Sequence, residues 1–231
     1  MIPCDFDYYL PDTWQEAVDI FHSLKAEGKN PLYYGGGTKI ISMARVSSIR
    51  PDAVIDIKKI PECQSFGTDG SKLFFGAALT LTTIRESGLY PLLSHAAGRI
   101  ADHTVQCKLT LGGNLAQHPR CWYYRNALTH CWRKGGQMCY AFRGENRDHA
   151  ILGGGPCYAV HPSDPAVALL ALDALVTVAG PEGARTVPLG ELHRIPRGQR
   201  FGRQHAISQA DTHQRRALRR QDRGGQIVRR E

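Results

Sequence analysis

The sequence predicts a mixed α and β fold, one domain or two small lobes around a cleft, broken by an irregular insertion and followed by a basic tail. Three observations predict it. Trp14, Ala17, Val18, Ile20, Phe21 and Leu24 recur at helical spacing. The strand-like run Leu32-Tyr33-Tyr34 leads into three glycines, and a second glycine turn, at Gly112-Gly113, stands about 75 residues further on. A chain of 231 residues is long enough to bury a core without disulfides or metals.

The elements follow in chain order. Pro11-Asp12-Thr13 offers a helix start ahead of the apolar stripe, and Gly28 ends it. Residues 32–34 read as a strand, Gly35-Gly36-Gly37 as a turn, and Thr38 as the cap of a helical turn reaching Met43. Residues 53–57 and 72–77 read as strands, the second after the turn Asp69-Gly70-Ser71. Residues 80–86 and 91–101 read as helices. Between His118 and His161, Cys, Trp, Tyr, Arg and Gly crowd together with a period of neither 2 nor 3.6 residues, which predicts an irregular insert. A buried helix at 165–172 and a hairpin pairing 174–179 with 184–189 complete the body.

The formal charge of +8 is not spread evenly. Residues 197–231 hold ten arginines against Asp211, Asp222 and Glu231, so they carry +7 of it and residues 1–196 only +1. The body therefore lacks the basic character of a nucleic-acid binder, and only the tail invites that alternative. Eight of those last 35 residues are apolar against 42% for the whole chain, too few to supply a core, which predicts a disordered or frameshifted tail. Seven cysteines, four of them within 37 residues, make a poor disulfide framework and suggest thiol ligands in a reducing cytoplasm. No secretory leader and no membrane-spanning run is visible, so no membrane partner is expected.

Glycines at a strand end let backbone N–H groups approach phosphate oxygens, and a following helix start adds partial positive charge. A tight turn without a ligand explains one such cluster equally well. Neither cluster is a Gly-x-x-x-x-Gly-Lys-Ser/Thr loop or a Gly-x-Gly-x-x-Gly opening a long helix, which leaves those two modes of nucleotide binding unsupported. The two turns are placed to face one ligand.

In this order the motifs resemble the FAD-binding subunits of the xanthine dehydrogenase and carbon monoxide dehydrogenase family. The resemblance is carried by Gly35-Gly36-Gly37-Thr38-Lys39-Ile40, Gly76-Ala77-Ala78-Leu79-Thr80, Thr110-Leu111-Gly112-Gly113-Asn114-Leu115 and Ser163-Asp164-Pro165-Ala166. It implies a two-lobed α+β FAD-binding fold over residues 1–196, with lobe one about 1–58, lobe two about 59–196 and the insert about 118–160. It further implies a FAD site drawn from Tyr34, Gly35, Gly36, Gly37, Thr38, Lys39, Ile40, Thr80, Thr110, Gly113, Asn114 and Asp164. The chain departs from the family at Lys39, where Asp is usual, at Gly35, where Ala is frequent, and at Gln106-Cys107, where Arg-Asn is common. The small C-terminal α/β domain usual in the family is not recognisable after Gly198.

Within the insert Cys121, Cys131, Cys139 and Cys157 are spaced Cys-x9-Cys, Cys-x7-Cys and Cys-x17-Cys. Four thiolates satisfy one cubane cluster or one tetrahedral zinc, and this spacing chooses neither. Pro119-Arg120-Cys121-Trp122-Tyr123-Tyr124 and the later cysteines resemble the insert of the 4-hydroxybenzoyl-CoA reductase flavin subunit, which implies a [4Fe-4S] cluster on these four. No Ser-His-Asp or paired-carboxylate pattern appears, so no acid–base catalytic residue is expected in a chain whose flavin would handle electrons. The resemblance implies an oxidoreductase subunit. Its partners would be a large molybdopterin-binding subunit carrying the molybdenum cofactor, a small [2Fe-2S] subunit, and ferredoxin or another carrier. A Cys-rich zinc module and a nucleic-acid binder acting through the tail remain the alternatives.

Overall fold

The computed structural model describes residues 4–192 and the backbone of residues 206–213. The chain opens with β1 (Asp7–Tyr9), α1 (Trp14–Ala26), β2 (Pro31–Tyr34), α2 (Thr38–Arg45) and β3 (Ala53–Asp56). Helix α1 begins where the Thr13 hydroxyl accepts the Glu16 N–H at 3.2 Å, and it buries Ala17, Val18 and Leu24. The three strands form a parallel sheet in the order β1-β3-β2. All four residues of β3 are buried, as a strand between two parallel neighbours and under helices requires.

Next come α3 (Pro61–Gln64), β4 (Phe66–Asp69), β5 (Lys72–Gly76), α4 (Leu81–Ser87), α5 (Pro91–Gly98), α6 (His103–Gln106) and α7 (Leu111–Leu115). After them lie α8 (Trp122–Arg125), α9 (Asp164–Ala171), β6 (Leu175–Gly180), β7 (Gly183–Pro188), α10 (Leu189–Leu192) and β8 (Ala206–His213). The second sheet is antiparallel in the order β4-β5-β8-β6-β7. Helix α1 packs on β2, β3 and β6, so both sheets close on one core that includes Ile55, Ile60, Phe75, Leu81, Leu93, Leu111, Leu169 and Val176. Each such side chain contributes about 1.5–3 kcal/mol on burial. No helix among the described residues is long and apolar enough to cross a membrane.

Three features differ from the sequence expectations. Strands β1 and β4 went unread because they are three and four residues long, largely exposed, and show no alternation. The second glycine turn is the short helix α7, whose Thr110 hydroxyl caps the Gly113 N–H at 3.3 Å. The basic tail was expected to lie outside the body, yet Ala206–His213 is the middle strand of the second sheet, pairing with β5 and β6. Main-chain ladders recruit it, and composition does not register them. Residues 193–205 and 214–231, with the expectations of disorder or frameshift and of a missing domain, lie outside the described residues.

The insert holds only α8 and single 3-10 turns at Trp132–Lys134 and Tyr140–Phe142. Ring contacts organise it: Tyr123 stacks on Tyr140 at 5.9 Å, Phe142 on Tyr158 at 5.6 Å, and Trp122 meets His149 edge-on at 5.3 Å. It is tied to the first lobe where the Ser48 hydroxyl donates to the Arg125 carbonyl.

Candidate functional site

The motif at residues 76–80 is the scaffold of the site. Ala77 and Leu79 carbonyls accept from Gly112 and Leu111 N–H at 2.8 and 2.9 Å, and Leu109 accepts from Leu81 N–H at 2.9 Å. Thr80 bridges antiparallel to Thr110 while its hydroxyl caps α4. These bonds fix the second glycine turn, and the first turn is pressed against it. A Cβ on Gly35 would strike the Thr110 hydroxyl. A Cβ on Gly36 would overlap the Lys108 carbonyl oxygen and stand 2.5 Å from its carbon. Gly37 has φ +71, a left-handed conformation that L side chains rarely adopt, and the Tyr34 ring fills the space where its Cβ would point.

Below this junction sits a buried network. Asp56, 1% exposed, accepts from the Tyr8 hydroxyl and from Lys58 Nζ at 2.7 Å. Lys58 also donates to the Gly35 carbonyl at 3.3 Å and lies 4.7 Å from the Tyr34 ring centroid. The acceptor side of the first turn is thereby occupied. Gly37 has no side chain to cap α2, and Thr38, Lys39 and Ile40, whose N–H groups have no partner within the helix, line the cleft.

The cleft, of about 750 Å³ including its open mouth, is lined by Tyr33, Ile57, Leu109, Gly112, Ala116, Gln117 and His118 together with Gly35, Gly36, Gly37, Thr38, Lys39, Ile40, Thr110 and Gly113. The second group comes from the sequence-predicted set. The remaining members lie behind or beside the wall. Tyr34 supports Gly37 from beneath, and Thr80 holds Thr110. Asn114 is 2% exposed and accepts from the Ser163 hydroxyl, which also caps α9. Asp164 is exposed at the start of α9. The lining residues that sequence reasoning missed are mostly apolar and carry no signal separating a cleft wall from a core.

Charge completes the picture. Burial lowers the Lys39 pKa to about 8, with Arg125 and Arg120 pushing the same way. Burial, then Lys39 and Arg133, lowers His118 to about 4, leaving a neutral imidazole that shares a 2.7 Å hydrogen bond with Tyr124. Burial raises Tyr124 to about 12. The insert thus lends the neutral His118 to the cleft, and the one lysine of the lining, Lys39, comes from α2. The residues present fit a dinucleotide diphosphate: uncapped amides, glycines that leave no side chain in the way, and positive charge.

The four insert cysteines are arranged more loosely. Cys131 and Cys157 are buried at 6% and 8% exposure, and Cys121 and Cys139 are half-buried. Burial raises the Cys121 thiol first, backbone N–H groups of Tyr124 and Tyr123 lower it, and Cys131 and Cys139 raise it further. His149 Nε2 stands 3.2 Å from Cys121 Sγ. Among the described residues, no three His, Cys, Asp or Glu side chains are grouped as one metal ion requires. Cys4, Cys63 and Cys107 lie elsewhere and are free.

Residues 4–209 match the profile of the FAD-binding domain in molybdopterin dehydrogenase. The chain is 32% identical over 171 residues to PaoB, the FAD-binding subunit of Escherichia coli aldehyde oxidoreductase, covering 71% of this chain and 54% of that one. It is 33% identical over 124 residues to the carbon monoxide dehydrogenase medium chain of Hydrogenophaga pseudoflava, covering 52% and 42%. The chain therefore spans about half the length of the curated relatives it matches. Among solved structures, carbon monoxide dehydrogenase from Hydrogenophaga pseudoflava superposes with a TM-score of 0.65 at 22% identity, over 92% of this chain and 60% of that one. Quinoline 2-oxidoreductase from Pseudomonas putida 86 gives 0.64 at 15%, over the same shares, and both likenesses bear on the fold. With its glycine turns, their shared cleft and nearly its whole length accounted for, this chain belongs to the family of FAD-binding domains of molybdopterin dehydrogenases.

Proposed function

We propose that the chain binds FAD in this cleft and serves as the electron-transferring flavin subunit of a molybdenum-containing hydroxylase or dehydrogenase. One observation carries the reading: the uncapped start of α2 opens between two glycine turns whose close packing excludes any side chain from the diphosphate position. Bound FAD supplies the chemistry, taking electrons in pairs and giving them up singly. The chain's own residues hold and shield it. The amides of Thr38 and Lys39 donate to phosphate oxygens, Lys58 keeps the Gly35 carbonyl turned away, and Tyr33, Ile57 and Leu109 exclude water from the apolar wall. In this reading electrons arrive from the molybdenum cofactor of a large subunit by way of a small [2Fe-2S] subunit.

The second part of the proposal places a [4Fe-4S] cluster on Cys121, Cys131, Cys139 and Cys157. The support is the four cysteines of one insert, of which Cys131 and Cys139 act on the Cys121 thiol, although among the described residues no three such side chains are grouped as one metal ion requires. Such a cluster would hand single electrons to ferredoxin or a similar carrier, and the insert offers that carrier the exposed Leu128, Ile151 and Leu152, at 94%, 96% and 88% exposure. The test is the absorption spectrum and the flavin, iron and zinc content of the full chain purified without air. Flavin bands with a broad iron-sulfur shoulder are expected, Gly36→Ala should lose the flavin, and Cys121→Ser should lose iron while keeping flavin. A colourless protein sinks the FAD reading. Flavin together with zinc and no iron sinks the cluster alone.

A further inference from the structure

Gln117 belongs both to the cleft wall and to the neck of the insert. It is the second residue after α7, and it lines the cleft together with Gly112 and Gly113 of that helix. Its Nε2 donates to the Asn114 carbonyl and to the Pro162 carbonyl, both at 2.9 Å. With the bond from Ser163 to Asn114, these contacts tie the chain entering the insert to the chain leaving it. They also fix which end of the amide is which. A flipped side chain would set Oε1 against two carbonyl oxygens, so the nitrogen faces the neck and both amide hydrogens are spent there. Oε1 accepts from no described residue, and it is not one of the buried side-chain atoms left without a partner, so it stays accessible. Such an oxygen, on an amide already held at its other end, is a preorganised acceptor for an O–H or N–H group. Phosphate oxygens cannot supply that hydrogen, but a dinucleotide carries hydroxyls on either side of its diphosphate, on the ribityl chain and on the ribose. Gln117 lies four positions beyond Gly113, about one helical turn from the glycines that face the diphosphate.

We propose that Gln117 Oε1 accepts a hydrogen bond from a sugar hydroxyl beside the diphosphate of the bound dinucleotide, which makes Gln117 part of the cofactor site. The inference rests on the FAD reading and adds to it a residue outside both glycine motifs. The backbone amides serve the phosphates, and this side-chain carbonyl serves the adjoining sugar. One amide thus closes the neck of the insert with its nitrogen and holds the cofactor with its oxygen.

The experiment measures the dissociation constant of FAD for the flavin-free full chain by quenching of flavin fluorescence, and those of FMN and ADP by competition with FAD, which reads weak binding. It compares the wild type with Gln117→Met, close in size and without the amide, and uses Gln15→Met, at an exposed glutamine of α1, as control. FMN carries the ribityl hydroxyls without the ribose, and ADP carries the ribose hydroxyls without the ribityl chain. Gln117→Met should weaken FAD about three- to tenfold, the scale of one neutral hydrogen bond. One fragment alone should weaken by the same factor: FMN where the donor is a ribityl hydroxyl, ADP where it is a ribose hydroxyl. Gln15→Met should change nothing. If FAD binds the wild type and Gln117→Met equally well, the contact is refuted while the FAD reading stands. Weaker FAD with both fragments weakened, or with neither, refutes it too, since the amide then acts only through the neck. A wild type that binds no FAD overturns the FAD reading together with the contact.

Discussion

Replacing Gly36 by alanine tests the central geometry most directly. The added methyl would overlap the Lys108 carbonyl oxygen and stand 2.5 Å from its carbon and 3.2 Å from the Leu109 nitrogen. These are backbone atoms, and the segment that carries them is locked by the hydrogen bonds between residues 77–81 and 109–112. The two turns must separate, at a cost near the upper end of the ~1–3 kcal/mol typical of overpacking. Parting them also moves the Thr38 and Lys39 amides away from the diphosphate. Two charge-assisted hydrogen bonds at about 1.5–3 kcal/mol each correspond to a loss of FAD affinity of at least about a hundredfold. Gly35→Ala is the matched comparison. There the obstacle is the Thr110 hydroxyl, which can rotate away at the cost of one helix cap, about 1 kcal/mol and less than tenfold in affinity. Fluorescence titration with FAD and urea unfolding of both variants measure the two effects. A Gly36→Ala protein that binds FAD within about threefold of wild type, or a Gly35→Ala protein as damaged as Gly36→Ala, would refute the argument.

Three further outcomes follow from the same network. Because Lys39 titrates near about 8 and a bound diphosphate favours its charged form, FAD affinity should fall as pH rises past 8, approaching about tenfold per unit. The unfolded chain binds more protons than the folded one between about 8 and the ordinary lysine value, so stability without flavin rises across that window. Arg120, Arg125 and His118 face Lys39, and a flat profile, or an unchanged one in Lys39→Met, removes it from the site. Asp56→Asn breaks the pairing with Lys58 beneath the first turn and should cost about 2–3 kcal/mol in urea unfolding, with little change in the slope. Ser163→Ala removes both the cap of α9 and the bond to buried Asn114, so about 2 kcal/mol should be lost, and a variant as stable as wild type would show those bonds to be idle.

What the sequence discloses is what repeats or what is chemically marked. The stripe of α1, the strand and glycine turn before α2, the run of α9 and the β6–β7 hairpin all carry a period or a turn signature, and the structure has them within a few residues. Eight of the cleft-lining residues were legible from the motifs. Tyr33, Ile57, Leu109 and Ala116 were not, since an apolar side chain facing a ligand looks the same in sequence as one facing the core. The role of Gly36 needed three dimensions, because its neighbour at Lys108 is 72 positions away. Asn114, expected at the cofactor, accepts a hydrogen bond from Ser163, a pairing across 49 positions that no local pattern announces.

Strand β8 shows the same boundary between local and long-range information, and it yields the sharpest contrast. Composition places residues 206–213 in a polar tail with no part in the core. The structure sets their backbone between β5 and β6, with Phe75 opposite Ala210 and Val176 opposite that same residue on the other side. A strand paired on both edges tolerates no proline, because the imide nitrogen donates nothing to either ladder. Gln209→Pro should therefore unpair β8 and leave the inner edges of β5 and β6 exposed, lowering stability by about 3 kcal/mol or more and promoting association of the chain through those edges. Gln214→Pro, one residue beyond the strand, should do neither. Urea unfolding and light scattering report both effects. If the two proline variants are indistinguishable from wild type, the segment contributes nothing to the sheet, and the tail stands as composition reads it.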